Sequence, residues 1–211
     1  MVAKSLAKPS ARERLLAAAD ELFYDEGVRS VGIDRVIEHA GVAKASLYNA
    51  FGSKDGLIRA YLEARHAAAV ERITRALERC GTPRERLLGV FDAQAELFAQ
   101  PGYHGCPFAS ATAEARPGDV TEQTAAAYRG WLRGLLTDLA EQAGAADPQA
   151  LCRQLHLLYD GAGLSARMDG DPSASATARA AAAVLIDAAL ARPLPRDSDG
   201  GGISRETAAP E

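Results

Sequence analysis

Helix start signals recur along this chain, and that recurrence constrains its fold more than any other feature. Ser10 with Glu13 forms a capping box: the hydroxyl accepts the backbone N–H three residues on, and the carboxylate accepts the cap's own N–H. Thr82-Pro83-Arg84-Glu85 repeats the box and adds proline at the first helical position, where no N–H is needed. Asp119 with Glu122 is a third, while Asp147-Pro148 and Asp171-Pro172 each read as a cap followed by proline. No segment alternates apolar and polar residues with the period of two that a half-buried strand shows. The signals predict helices over 10–26, 33–40, 44–51, 54–79, 83–99, 106–115, 120–143, 148–168 and 172–191, an all-α fold of about nine helices. Apolar spacing agrees: Leu15, Ala18, Leu22 with Leu16, Ala19, Phe23 stripe the first, and Tyr128, Trp131, Leu132, Leu135, Leu139 the seventh.

Composition bounds the class. With 47% apolar and 25% charged residues the chain can bury a real core. It shows no run of eighteen apolar residues, so no membrane span is expected. The start, "MVAKSLAKPSARER", is basic without an apolar stretch behind it, unlike a secretory signal. Three cysteines, Cys80, Cys106 and Cys152, are widely spaced and odd in number, which suits a reducing cytoplasm. After Ala191 the segment "RPLPRDSDGGGISRETAAPE" offers little to bury, and 193–211 is expected to be a disordered tail. The net charge of −4 is unevenly spread: residues 1–60 hold nine Lys/Arg against eight Asp/Glu, and the remainder fifteen against twenty. Such a balance permits a polyanion partner without demanding one.

The stretch "AGVAKASLYNAFGSKDGL" explains why one helix is so short and has so little to bury. Ile33–Ala40 ends at Gly41, a residue suited to the left-handed conformation after a helix. Two short helices joined by a glycine turn and buttressed by a longer one make a helix-turn-helix. Val42, Leu47 and Phe51 would dock the last helix onto the other two, leaving Lys44, Ala45, Ser46, Tyr48, Asn49 and Ala50 outward. Small residues there let a helix sink into the DNA major groove, about 12 Å wide. Lys44 and Asn49 can reach base edges, Ser46 a base or phosphate, and Tyr48 and Lys54 the backbone.

From Arg12 to Leu62 the chain resembles the DNA-binding domain of the tetracycline-repressor (TetR) family of bacterial regulators. The shared pattern is A-x-x-L-F, then A-G-V, then L-Y-x-x-F-x-x-K. The resemblance implies homodimers whose variable helical second domain binds a small molecule and releases double-stranded DNA. It places groove reading on Lys44, Ala45, Ser46 and Asn49, and phosphate holding on Tyr48 and Lys54. It divides the chain into a helix-turn-helix domain with a basic arm (1–55), a ligand-binding and dimerisation domain (56–192) and the tail. Two departures stand out: Ala43 and Gly32 replace the hydroxyl residues that usually open the third and second helices. Ala is a poor cap, worth about 1 kcal/mol less than Ser, so Ser30 and Asp34 must compensate or the arm must contribute more.

The second half holds no catalytic signature, metal or cofactor motif. Phe91, Phe98, Tyr103, Phe108, Tyr128 and Trp131, with His104 and Cys106, are candidates to line a small-molecule pocket; plain core packing is the alternative. Cys106 reads as a small buried hydrophobe, as a redox switch favoured by a helix N-terminus, or as a nucleophile with His104. Cys152 and His156 share a helix face but lack a third metal ligand. Ala, Gly and Ser crowd the last two helices, which in the resembled family pair with their symmetry mates. The expectation is a ligand-responsive repressor on a palindromic operator; an enzyme using Cys106, and a protein-binding adaptor, are the rivals.

Overall fold

The computed structural model describes residues 9–191. Among them are nine helices and no strand: α1 (Ala11–Glu26), α2 (Ile33–Ala40), α3 (Lys44–Phe51), α4 (Lys54–Leu77), α5 (Pro83–Phe98), α6 (Pro107–Ala113), α7 (Val120–Ala143), α8 (Pro148–Asp169) and α9 (Ala174–Ala191). The expected tail, 193–211, and Lys4 and Lys8 of the basic arm lie outside the described residues. Two of the three expected capping boxes form, on Ser10 and on Thr82; the third, Asp119 with Glu122, does not close as a box. Asp119 caps α7 from the Thr121 N–H, while Glu122 reaches back to the Gly118 N–H at 2.7 Å. The last helix starts two residues later than expected. Asp171 spends its carboxylate on Ser173, taking the backbone N–H at 2.8 Å and the hydroxyl at 2.7 Å, so Pro172 belongs to a turn.

α1, α2 and α3 pack around Leu15, Ala18, Ala19, Leu22, Phe23, Val36 and Leu47, all buried. α4 belongs to two cores at once. Its first half (Leu57, Ile58, Tyr61, Leu62) closes the helix-turn-helix, and its second half (Ala69, Ile73, Ala76) packs into the larger bundle of α5 to α9. Asp20 of α1 holds the Arg65 guanidinium of α4, Nε to Oδ1 at 2.6 Å, and that guanidinium lies 4.1 Å over the Tyr24 ring.

By length and composition alone α9 could cross a bilayer, its 18 residues reaching a mean hydropathy of 1.4, although Arg179 and Asp187 interrupt the apolar run as the sequence shows. Here it packs against α5 and α8 through Ser175, Ala178, Ala182 and Ile186. Arg179 and Asp187, within it, pair with Asp92 and Arg84 of α5. Only 22% of the helix is buried, so most of an apolar surface stays uncovered.

Candidate nucleic-acid interface and effector domain

The short third helix has a reason to stay short. Gly41 adopts φ 61° and ψ 44°, and its N–H returns to the carbonyls of Ile37 and Glu38, ending α2 sharply. Arg14 of α1 donates to the carbonyls of Ala40 (3.3 Å) and Gly41 (3.0 Å), a cation placed on the negative end of α2. Leu47 then seats α3, with Val42 and Phe51 half-buried beside it and the Arg12 guanidinium 5.2 Å over the Phe51 ring. The opposite face is free: Lys44, Ala45, Tyr48 and Asn49 are exposed and Ser46 half-exposed.

Two of the basic candidates are engaged within the chain. Lys44 Nζ donates to Asp34 Oδ1 of α2 at 2.8 Å, a bond that raises the ammonium's pKa. Both partners are exposed, so solvent screens the pair and it yields readily to a polyanion. Lys54 Nζ turns toward the Arg29 carbonyl at 3.4 Å; partial burial, then the Arg29 charge, lowers its pKa. Neither α2 nor α3 has a side-chain cap, and Asp34 serves Lys44 rather than the helix start. The compensation expected from Ser30 and Asp34 is therefore not made; at the start of α3 no side chain caps the helix, and the Ser46 N–H turns back to the Ala43 carbonyl at 2.9 Å.

The reading domain is tied to the second domain at the α1–α2 turn. Glu114, after α6, accepts the Arg29 N–H at 2.8 Å; Asp119, capping α7, pairs with the Arg29 guanidinium. Tyr24 of α1 accepts the His104 N–H at 2.9 Å and donates to the Gly105 carbonyl at 3.0 Å. Thus α6 and its flanks grip α1 and the turn on both sides. Sequence reasoning passed over Arg14, Arg29, Glu114 and Tyr24, because such long-range contacts leave no local signature.

The candidate effector residues divide into groups. Phe108 stacks on Tyr128 at 4.2 Å, and Trp131 and His66 meet the same ring at 6.2 and 5.6 Å. Phe91 meets Tyr159 at 6.3 Å, and Tyr159 shares a 3.4 Å hydroxyl contact with Tyr128. Phe98 and Tyr103 form a separate pair at 4.8 Å beside a cleft of about 200 Å³. His104 is not among them: its ring is exposed, 3.6 Å from Asp25 and edge-on to Tyr24. Cys106 precedes α6 and is half-buried; desolvation there raises its thiol pKa, although the N–H groups of Ala109 and Phe108 favour the thiolate. Burial outweighs the helix terminus, and with His104 turned to the surface the nucleophile reading loses its geometry. Cys152 donates to the Arg133 carbonyl at 3.4 Å, and no metal-binding cluster is present among the described residues. Gln94 and Tyr159 were missed, yet Gln94 is legible in retrospect as the one polar residue on the α5 stripe Leu87, Val90, Phe91, Gln94, Phe98.

A helix-turn-helix with an open reading face, joined by a shared helix to a larger helical bundle, defines a DNA-binding regulator with a second, non-reading domain. Comparison with known proteins gives that class its family. Residues 15–61 match the profile described as bacterial regulatory proteins, tetR family, and 83–182 match the tetracyclin repressor-like C-terminal domain. A TetR-family transcriptional regulator from Streptomyces coelicolor is 32% identical, with a TM-score of 0.80 over 85% of this chain and 96% of that one. The repressor NemR of Escherichia coli is 31% identical over 62% of this chain and 65% of its own length; the crystal structure of its reduced form gives a TM-score of 0.73. The activator FasR of Mycolicibacterium smegmatis is 35% identical over 42% of this chain and 40% of its own. The aligned stretch thus spans less than two thirds of these curated relatives. The chain belongs to the TetR family of bacterial transcriptional regulators, and that family's members are regulators rather than enzymes.

Proposed function

We propose that this chain is a cytoplasmic, homodimeric repressor that leaves a palindromic operator when a small molecule binds its second domain. Residues 1–55 read the operator, and 56–192 bind the effector and the second copy. Lys44, Ala45, Ser46 and Asn49 face the bases, and Tyr48 and Lys54 the phosphates. The observation that carries this reading is the uncovered α3 face, built of small and hydrogen-bonding side chains over a firmly buried Leu47.

A second copy is called for on two grounds. One helix as short as α3 makes too few base contacts for useful specificity, and a twofold dimer doubles them. The chain also leaves Leu157, Leu164 and Met168 of α8 and Val184 of α9 between 60% and 75% exposed, an apolar surface suited to its own symmetry mate. Because α4 is shared by both cores and the α1–α2 turn is gripped from α6 and α7, repacking of the aromatic groups in the second domain shifts α3 relative to its mate. An effector that prefers the shifted state lowers operator affinity by its differential binding, typically about 1–3 kcal/mol.

The test is retardation of a duplex covering the DNA immediately upstream of the protein's own gene. The wild type should retard it with a steep dependence on salt, as released counterions require. Lys44→Ala and Tyr48→Ala should each lose retardation while remaining dimers in sedimentation. Undiminished binding by both variants refutes the assignment of α3.

A further inference from the structure

Tyr103 stands between the cleft and a buried hydrogen-bonding group that lacks a partner. The cleft is walled by Phe98, Gln100, Gly102, Tyr103, Ala166, Gly170 and Pro172, none of them charged; Asp171, between the last two, turns its carboxylate to Ser173. The Tyr103 hydroxyl crosses to the Gly163 carbonyl of α8 at 3.2 Å. A Cβ at Gly163 would make ordinary contact with both groups, 3.6 Å from the Tyr103 hydroxyl and 3.8 Å from Gln94 Nε2, so the two meet over the same glycine. Gln94 is 3% exposed. Its Nε2 donates to the Tyr159 carbonyl at 2.8 Å, and its Oε1 is buried with no hydrogen-bond partner. An amide acceptor left dry in a core is costly unless something donates to it.

We infer that the cleft beside Tyr103 is the mouth of the effector site, that Gln94 is its recognition residue, and that the effector is an uncharged aromatic molecule bearing a hydroxyl or N–H donor. This deepens the regulator reading above and rests on it. The aromatic preference follows from the rings nearby: Phe98 and Tyr103 at the cleft, and Tyr159, whose carbonyl Gln94 holds, whose ring meets Phe91 and whose hydroxyl meets Tyr128. The lack of charge follows from the mouth, whose lining side chains offer an ion no counter-charge. The donor follows from Gln94 Oε1, the acceptor it would satisfy. Tyr103 acts as the gate, exchanging its bond to Gly163 for an open rotamer when the ring enters.

Trp131 is the only tryptophan in the chain and lies 6.2 Å from Tyr128, so its fluorescence reports on the chamber. The intact protein is titrated with three quenchers of similar shape: 4-nitrobenzyl alcohol, 4-nitroanisole without a donor, and 4-nitrobenzoate with a charge. The alcohol should quench saturably, about tenfold more tightly than the anisole, and the benzoate should be weakest. Gln94→Leu should erase the alcohol's advantage and leave anisole binding in place; Ala166→Leu, on the cleft wall, should weaken both. Should Gln94→Leu fail to fold, the wild-type series and Ala166→Leu decide. No saturable quenching by the alcohol, equal binding of alcohol and anisole, or an unaffected Gln94→Leu overturns the proposal. So does a preference for the benzoate, which would shift recognition to Arg72, the cation neighbouring Tyr159. Retardation of upstream DNA is scored separately, so selective quenching without DNA binding sinks the regulator reading alone, and DNA binding without selective quenching sinks this one alone.

Discussion

Gly27→Ala tests how the two domains are joined. Gly27 sits at φ 93° and ψ 149°, a region open in practice to glycine alone, and holding alanine there costs about 1–3 kcal/mol. A Cβ at this position would also fall 2.4 Å from Glu114 Oε1, so the carboxylate has to swing away. Swinging breaks its 2.8 Å bond to the Arg29 N–H, worth about 1 kcal/mol in this partly exposed setting. Gly27→Ala should therefore destabilise by about 2–4 kcal/mol, the sum of those two costs. Glu114→Ala alone should cost about 1 kcal/mol. In the double variant the second cost is counted once, so it should fall short of the summed single effects by about 1 kcal/mol. The assay is urea unfolding of all four proteins at one fixed concentration, because the homodimer proposed above would make stability concentration-dependent. Single effects that add to within about 0.3–0.5 kcal/mol would show that Gly27 and Glu114 do not meet, and the proposed route from α6 to the reading domain would lose its contact.

Leu164→Glu, or Val184→Asp, places a charge on the uncovered α8–α9 surface and should convert the dimer to monomer in sedimentation while leaving helix content intact; a persisting dimer would move the interface elsewhere. Burial lowers the pKa of both His66 and His156 from the ordinary 6.5, so the folded chain resists protons that the unfolded chain takes up. Above pH 6.5 both states are neutral and nothing is lost, whereas stability should fall as pH drops below that value. For His156 the carboxylate of Asp160 opposes this, and burial prevails over it. The loss should shrink in the double variant His66→Phe, His156→Phe; an unchanged pH profile would place the titrating groups elsewhere.

Much of the fold was legible because it rests on local chemistry. Capping boxes at Ser10 and Thr82 and the Gly41 turn fix their helix ends within a few residues, so they show in sequence as they do in space. Asp171 misled for the same local reason: it caps a turn through Ser173, and a cap on a turn spells like a cap on a helix. The exposed face of α3 was legible too, since the helix buries Leu47 alone of its eight residues and Lys44, Ala45, Ser46, Tyr48 and Asn49 are small or polar. The second domain was not. Aromatic residues on successive helices announce a core, but whether they meet one another or a shared space depends on helix angles that no spacing encodes. His104 shows the limit, neighbouring Tyr103 in the chain yet facing Asp25 and Tyr24 of the first domain. Ion pairs such as Arg29–Asp119 join residues far apart in sequence and are invisible until the chain is folded.

The most direct trial of the account is hydroxyl-radical footprinting of the dimer on its own upstream DNA. Two symmetric protected patches should lie on one face of the duplex, their centres about 34–36 Å or a multiple of that apart, and both should vanish together with Tyr48→Ala. A single asymmetric patch, or protection that survives Tyr48→Ala, would mean that α3 is not what reads the operator.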